Sequence, residues 1–564
     1  MMKASVVRVD PVRRPQPLIR LNDFGCVSPP ELGAWTPNRT VSVVIPAFQC
    51  GETLSLTLAS LAAQSYPAHL LEVVVVDDGS RPALRLPEIT PERTRIVSSR
   101  PGGWGRAWAC QSGADVAEGE VIHWLDADMI VFREHLEAQM RWHHLADYIA
   151  TLGRLKMVPS WDGSLSPAEV HAAVTAGTAE ELFDAGAGAA DTWSRDYITR
   201  TRDLREAGLN AFRVHVGASA SVPAALLKNA GGLDTSLVLA EDTELGYRLA
   251  QAGAVFVAEG ESRSWHLGPS TVMRRENEVK RHNWVFLANR IPSYRSLRRN
   301  SVRQWEVPYV EVVVPAGDAP YEQIRSTVDG FLRGSVSDIR VTVVGPWSLL
   351  SSGRRSPLDD PGIDLRLIKE LYSHDSRVDL VETVEKTPFP VPFRFTCPPG
   401  WVPRATCLQR LTKRADEAGY GLISLALAEG DGLIAARLER TAAFNRARML
   451  EGDRHLDDVV EATFGTQWLD GKTWGLDPME EQLDRLVKTE RWKKKALRRK
   501  KKALRWRRRA RRLQGQLDRT PMRRLRRAIG RRALGRRVLR KGLLLVGVTR
   551  NRRRSRNRRR RSRS

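Results

Sequence analysis

Three short, almost uninterrupted apolar runs constrain this chain more than any other feature. "VSVVIPAF" starts at Val41, "LEVVVVDDGS" at Leu71 and "VIHWLDADM" at Val121. Runs that are apolar throughout, and rich in β-branched residues, fit strands buried on both faces of a parallel sheet. Between the first two, Leu54, Leu58, Leu61 and Ala62 recur at helical spacing. Strand, helix, strand, helix, strand predicts an open α/β sheet, in which ligands bind beyond the carboxyl ends of the strands. Asp77, Asp78, Asp126 and Asp128 fall at those ends.

With 564 residues, 42% of them hydrophobic, the chain has material for several cores. Cys26, Cys50, Cys110, Cys397 and Cys407 show no metal or redox spacing, which fits a reducing compartment. The first residues lack the apolar core of a signal peptide, and no run approaches the length that spans a bilayer. The expectation is a cytoplasmic protein. The net charge of +26 is concentrated at one end. From Arg491 onward there are 36 Lys and Arg against one acid, Asp518, whereas the preceding residues carry 55 bases and 64 acids. Charge therefore speaks for the tail's partner and says little about the body.

A later segment echoes the first. "VEVVVPAG" matches "VSVVIPAF", with Pro315 in the place of Pro46, and "IRVTVVGP" follows as "EVVVVDDG" does. "ADEAGYGLISLALAEG" matches "ADVAEGEVIHWLDADM". On this alignment Asp77 and Asp78 become Gly345 and Pro346, and Asp126 and Asp128 become Leu427 and Glu429. The expected division is a leader at 1–39, a catalytic domain at 40–300, a degenerate copy at 309–465 and a basic tail at 478–564.

Asp126 and Asp128, one residue apart at a strand end, offer hard oxygen ligands that can join a divalent cation to a diphosphate. Taken alone, the pair is a weak signal, since such acids more commonly sit in a solvated loop. Its surroundings resemble the family 2 inverting glycosyltransferases of GT-A fold. "VSVVIPAFQCGETL", "VVVVDDGS", "EGEVIHWLDADM", and "GGLDTSLVLAEDTELGYRLAQAG" with the later "WHLG" follow that family's order. The resemblance implies a GT-A-type open mixed sheet and transfer of a sugar from a nucleotide donor, expected to be a UDP-sugar, with Mn²⁺ or Mg²⁺. It implies donor binding by Pro46, Asp77, Asp78 and Asp126, and metal binding by Asp126, Asp128 and His266. Asp242 would be the base that takes the acceptor proton, aided by Glu241. Acids also favour a helix start, so Glu241 and Asp242 serve capping equally well.

The chain departs from the family in places. Gln49 stands where Asn is common, and Ala109-Cys110-Gln111 where Ala-Arg-Asn is common; Arg106 offers a replacement cation for the donor. The Gln-X-X-Arg-Trp segment of processive members is missing, the region reading "KRHNWVF". Transfer of one or a few sugars, to a cell-envelope glycan or lipid-linked acceptor, is the expectation. A sugar-nucleotide-binding protein without catalysis, and a polyanion-binding protein acting through its basic tail, are the alternatives. In the tail, "KKALRRKKKALRWRRRARRLQ" sets Leu497, Leu504, Trp506 and Leu513 among cations, before Pro521 and "GLLLVGV". A helical or disordered tail of this kind suits an anionic membrane surface, at the inner face of the plasma membrane. Nucleic acid and plain solvation are the other readings.

Overall fold

The structure, a computed structural model, describes residues 15–158, 161, 163–184, 192–298, 303–428 and 433–518. All three apolar runs are strands. The first sheet contains β1 (Val41–Ala47), β2 (Leu71–Asp77), β3 (Thr94–Ser98), β4 (Val121–Leu125), β5 (Met129–Val131), β6 (Ile149–Val158), β7 (Ser219–Pro223) and β8 (Val255–Leu267). Their order is β3-β2-β1-β4-β7-β6-β8-β5. The first four are mutually parallel, β7 is antiparallel to β4 and β6, β6 and β8 are parallel, and β5 is antiparallel to β8. This is the open mixed sheet with flanking helices that the sequence led us to expect.

Burial on both faces explains the lack of alternation in the runs. Val43, Val73 and Val75 pack with Leu54, Leu58 and Leu61 of helix Gly51–Ala62. Val44, Val74 and Val76 pack on the other face with Ala107, Ala109 and Cys110 of helix Arg106–Val116. The register sets Ala47 opposite Asp77 and Asp77 opposite Ser98, so neighbouring strands end together at one edge.

A second sheet is built from β9 (Val310–Pro315), β10 (Ile339–Val344), β11 (Val378–Val381), β12 (Phe393–Thr396), β14 (Leu422–Ala428), β15 (Ile434–Arg440) and β16 (Thr466–Asp470). The short β13 (Trp401–Pro403) and β17 (Leu476–Pro478) pair with each other. The second sheet's order, β11-β10-β9-β12-β15-β14-β16, repeats β3-β2-β1-β4-β7-β6-β8. Strand directions repeat as well.

That order corrects the sequence alignment of the third strand. β14 occupies the place of β6, and the place of β4 belongs to β12, followed by Cys397-Pro398-Pro399-Gly400. "LISLALAE" resembles "VIHWLDAD" only because each is a buried strand running into an acid. β12 escaped notice because it is short and carries Arg394, which pairs with Glu311 of β9 at 2.7 Å. Glu429 lies outside the described residues. Gly345 and Pro346 do follow β10 as Asp77 and Asp78 end β2.

Arg446 ties the leader and both sheets together. Ile19 from the leader, Ile149 and Val255 from the first sheet, and Leu422, Phe444 and Phe464 from the second share one core. Arg446 lies inside it, without a carboxylate partner among the described residues. Its guanidinium donates to the carbonyls of Gly253 (2.8 Å), Ala254 (3.0 Å), Ile19 (3.1 Å) and Leu21 (2.6 Å). It also lies over the rings of Tyr148 and Phe464. Burial pulls its pKa down to about 10.

The helix Met479–Asp518 begins the tail, and Leu497, Leu504 and Trp506 are exposed on it. The side chains of Trp492 and Leu513, together with Pro521 and Gly542 to Val548, lie outside the described residues. Among the described residues no helix is long and apolar enough to cross a membrane.

Two outcomes are expected from this packing. Arg446→Ala strips four carbonyls of their donor and should cost roughly 3 kcal/mol, measured by chemical unfolding. The second outcome concerns His123 of β4 and His135 and His143 of helix His135–His143, which are fully buried. Burial holds His135 at about 4 and His143 at about 3, and also depresses His123 well below its ordinary value. Below about pH 6.5 the unfolded chain takes up these protons while the folded chain refuses them. The stability present above that pH is then lost, by up to about 1.4 kcal/mol per imidazole per pH unit. Melting curves between pH 7.5 and 4.5 measure the slope, and His143→Gln should make it shallower.

Candidate active site

A cleft of about 1030 Å³ opens at the carboxyl ends of β1, β2 and β4, lined in part by Pro46, Asp78, Arg106, Asp126, Asp128 and His266. Pro46 stands near the end of β1, opposite Val76. Asp126 and Asp128 leave β4 just before β5. Because β5 pairs antiparallel with β8, Met129 faces His266 and Asp128 is brought beside that imidazole. One ligand atom each from Asp126, Asp128 and His266 lie within 4.8 Å of one another.

These three residues fit a divalent cation. Asp128 Oδ1 is buried without a hydrogen-bond partner among the described residues, 3.7 Å from His266 Nε2. Burial, then the neighbouring Asp126 charge, push the Asp128 carboxyl above the usual carboxylate range, against the pull of His266. His266 Nδ1 is 3.0 Å from the Gly268 carbonyl oxygen. A carbonyl only accepts, so the proton is assigned to Nδ1 and the Nε2 lone pair is turned toward Asp128. Two carboxylates and a neutral imidazole form a donor set suited to Mn²⁺ or Mg²⁺.

Arg106 opens its helix after Gly105, whose φ of +95° suits glycine. Its guanidinium donates to Asp126 Oδ1 through Nε (3.0 Å) and Nη2 (2.9 Å), and to Glu241 Oε1 through Nη1 (2.7 Å). A Cβ at Gly217 would come within 2.5 Å of that guanidinium, so the close approach requires glycine there. Glu241 and Asp242 do open a helix, Glu241–Gln251. Asp242 accepts from the Thr243 amide at 2.6 Å and the Gly217 amide at 3.3 Å. Burial and the adjacent Asp242 raise the Glu241 pKa, which Arg106 opposes. Neither acid of this pair lines the cleft; Arg106 connects Glu241 to it.

Asp77 and Asp78 have separate duties. Asp77 accepts from the amides of Ser80 (2.8 Å) and Leu84 (3.1 Å) and does not line the cleft. Burial opposes its ionisation, yet these amides hold it below its ordinary pKa. Asp78 faces the cleft and accepts from Ser99 Oγ (2.8 Å) and the Gly105 amide (2.7 Å). Sequence reasoning missed Phe48 and Trp104, both exposed on the cleft wall, and the buried His215. His215 Nδ1 lies 2.8 Å from the Asp242 carbonyl oxygen, supporting the helix start. The Gly-Gly-Trp-Gly sequence around Trp104 was the signal available for that wall.

A glycosyl transferase family 2 model matches residues 42–178. A validoxylamine A glucosyltransferase of Streptomyces hygroscopicus subsp. jinggangensis is 28% identical over 241 residues, 41% of this chain and 56% of that protein. An uncharacterized glycosyltransferase of a Nostoc species is 27% identical over 136 residues, 23% of this chain and 41% of that one. The chain thus spans about half the length of the curated relatives it matches. The solved mannosyltransferase PcManGT from Pyrobaculum calidifontis, in complex with GDP-Man and Mn²⁺, is 18% identical. It aligns over 45% of this chain and 65% of its own, with a TM-score of 0.32.

The internal use of Asp77 yields a test. Asp77→Ala frees two amides that a charged acceptor now holds, a loss of about 1–3 kcal/mol locally. Hydrogen exchange at Ser80 and Leu84 should quicken at least fivefold while the β4 amides keep their rates.

Proposed function

Residues 42–178 belong to glycosyl transferase family 2, and from that premise we propose that the chain transfers a sugar from a nucleotide diphosphate donor to an acceptor hydroxyl with inversion. The observation that carries this reading is Asp128 Oδ1, buried without a hydrogen-bond partner among the described residues and 3.7 Å from His266 Nε2, with Asp126 alongside. In this reading Asp126, Asp128 and His266 hold Mn²⁺ or Mg²⁺. When bound, the cation would supply charge neutralisation for the departing diphosphate.

The chain's own residues have distinct tasks. Pro46 and Asp78 border the space for the nucleoside, and Asp77 shapes the adjoining loop. Arg106 fixes Asp126 and presents positive charge toward the donor. Asp242, anchored by the Gly217 and Thr243 amides, keeps lone pairs available for the acceptor proton. The acceptor oxygen forms a bond to the anomeric carbon, the bond from that carbon to the diphosphate breaks, and the proton passes to Asp242. Glu241, which the sequence suggested as a partner of the base, lies behind the cleft wall and acts on the site by holding Arg106 in place. The UDP-sugar donor and a cell-envelope or lipid-linked acceptor complete the proposal, with transfer of one or a few units.

We divide the chain as 1–39, 40–300, 309–465 and 478–564, taking 309–465 as a degenerate copy. Its matching strand order, with Gly345, Pro346, Pro398 and Gly400 at the strand ends, supports that division. The basic tail is proposed to draw the enzyme to the anionic inner face of the plasma membrane, with nucleic acid as the lesser partner.

Turnover of a panel of UDP- and GDP-sugars, followed by mass spectrometry with and without chelator, tests the reading. Asp242→Asn should lower turnover about a thousandfold while donor affinity in the presence of Mn²⁺ changes less than threefold. Equal loss of binding and turnover would move Asp242 into the donor site, and full activity in chelator would remove the cation from the reaction.

A further inference from the structure

Beneath the carboxylates the first sheet holds a buried polar hub. Gln139 of the His135–His143 helix is 1% exposed, and its amide fills every hydrogen-bonding position it has. Nε2 donates to Ser219 Oγ (3.1 Å) and Ser262 Oγ (2.8 Å), while Oε1 accepts from Thr151 Oγ1 (2.8 Å) and Ser221 Oγ (2.8 Å). One side chain thus joins the helix to β6, β7 and β8. Gly153 leaves room for it, since a Cβ there would lie 2.3 Å from Ser219 Oγ and 3.1 Å from Gln139 Nε2. Aliphatic side chains would seal these strands without desolvating an amide and its hydroxyl partners. What a satisfied polar network adds is a fixed geometry.

That geometry leads to the candidate cation site. Glu259 of β8 stands opposite Gly153, and Arg263 opposite the next residue, Arg154, so residues 260–262 bulge out of the ladder. A bulge re-aims the side chains that follow, and a slip of one residue turns each to the opposite face. His266 lies one turn of chain past Ser262, and its place opposite Met129 and Met157 depends on where this bulge sits. The helix grips the bulge at both ends. Glu259 accepts from Arg141 Nη2 at 3.0 Å and from the Trp142 indole, and His135 Nδ1 lies 3.0 Å from the Arg263 carbonyl oxygen. Between these anchors Gln139 holds Ser262. The other arm of its amide holds Ser219, which stands opposite Leu125 at the end of β4. The preceding carbonyl, of Ala218, accepts from the Asp126 amide at 3.3 Å.

We propose that Gln139 is a positioning residue for the cation site: by locking the β8 bulge to the start of β7, it sets His266 against Asp126 and Asp128. This role rests on the reading of those three residues as cation ligands, whereas the placement of the imidazole does not.

Mn²⁺ uptake by the full chain without donor, followed by electron paramagnetic resonance, tests the role. Gln139→Met keeps the side chain's length and removes its hydrogen bonds, and Ser262→Ala cuts the amide's link to the bulge. Each should weaken Mn²⁺ binding by about 10–100-fold, the effect of removing a group that orients a metal ligand. Thr151→Val removes a bond of the same amide on the β6 side, and should lower the melting temperature while changing Mn²⁺ affinity less than about threefold. In a His266→Ala background, Gln139→Met should add less than about threefold, because both act through one ligand. Equal losses in Thr151→Val and Ser262→Ala would make Gln139 a general prop of the core and overturn the proposal. So would an undiminished loss in the His266→Ala background. If the parent takes up no Mn²⁺, the His266 imidazole resonance, assigned with His266→Ala, decides. A shift in Ser262→Ala but not in Thr151→Val keeps the positioning of His266 and removes the cation reading, whereas an unmoved resonance removes both.

Discussion

One guanidinium holds the cleft together. Asp126 at the end of β4 and Glu241 at the start of the 241–251 helix are separated widely in sequence, and Arg106 binds both. Without a cation between them, these carboxylates and the neighbouring Asp128 and Asp242 would repel one another in partly desolvated surroundings. The bridge relies on two glycines. Gly105 turns the chain into the Arg106 helix, and Gly217 leaves room where a Cβ would strike the guanidinium. The apolar sheet brings the strand ends to one edge, and the charge pairing fixes how the acidic side chains are distributed there.

The same fold topology appears a second time without this charge arrangement. After β10 come Gly345 and Pro346, and after β12 come Pro398, Pro399 and Gly400. With no acids to compensate, no counterpart of Arg106 is required at those ends. Arg446, by contrast, joins the second sheet to the first through backbone carbonyls and the face of Tyr148. A buried cation satisfied by carbonyl dipoles is tolerable because each of its nitrogens has a carbonyl partner, and the cost of its desolvation appears as a lowered pKa. The two sheets therefore meet through packing and a polar clamp, and the acidic chemistry stays on the first.

Much of this was legible in the residues. Apolar runs capped by Asp77, Asp126 and Asp128 gave away strands covered on both faces, because two-sided burial removes polar alternation. Glu241 and Asp242 marked a helix start, since acids suit the positive end of a helix. The β12 strand was illegible: four residues with an arginine carry no periodicity, so a longer apolar run was aligned in its stead. The division of labour between Asp77 and Asp78 was illegible too. Both are adjacent carboxylates in sequence, and only the course of the 79–84 loop turns one toward internal amides and the other toward the cleft.

By itself the sequence determined the mixed α/β class, the strands that end in acids, the repeat of Val-rich strands at Val310 and Ile339, and the separation of a basic tail. These follow from local apolar patterning and composition, which act over a few residues. Tertiary structure alone decided that His266 meets Asp128, that Arg106 joins Asp126 to Glu241, that Arg446 clamps leader to sheets, and that Gln139 reaches both Ser219 and Ser262. Those outcomes depend on strand order and on the antiparallel pairing of β5 with β8. Contacts between residues far apart in sequence are set by how the chain crosses the sheet, and no local pattern records that path.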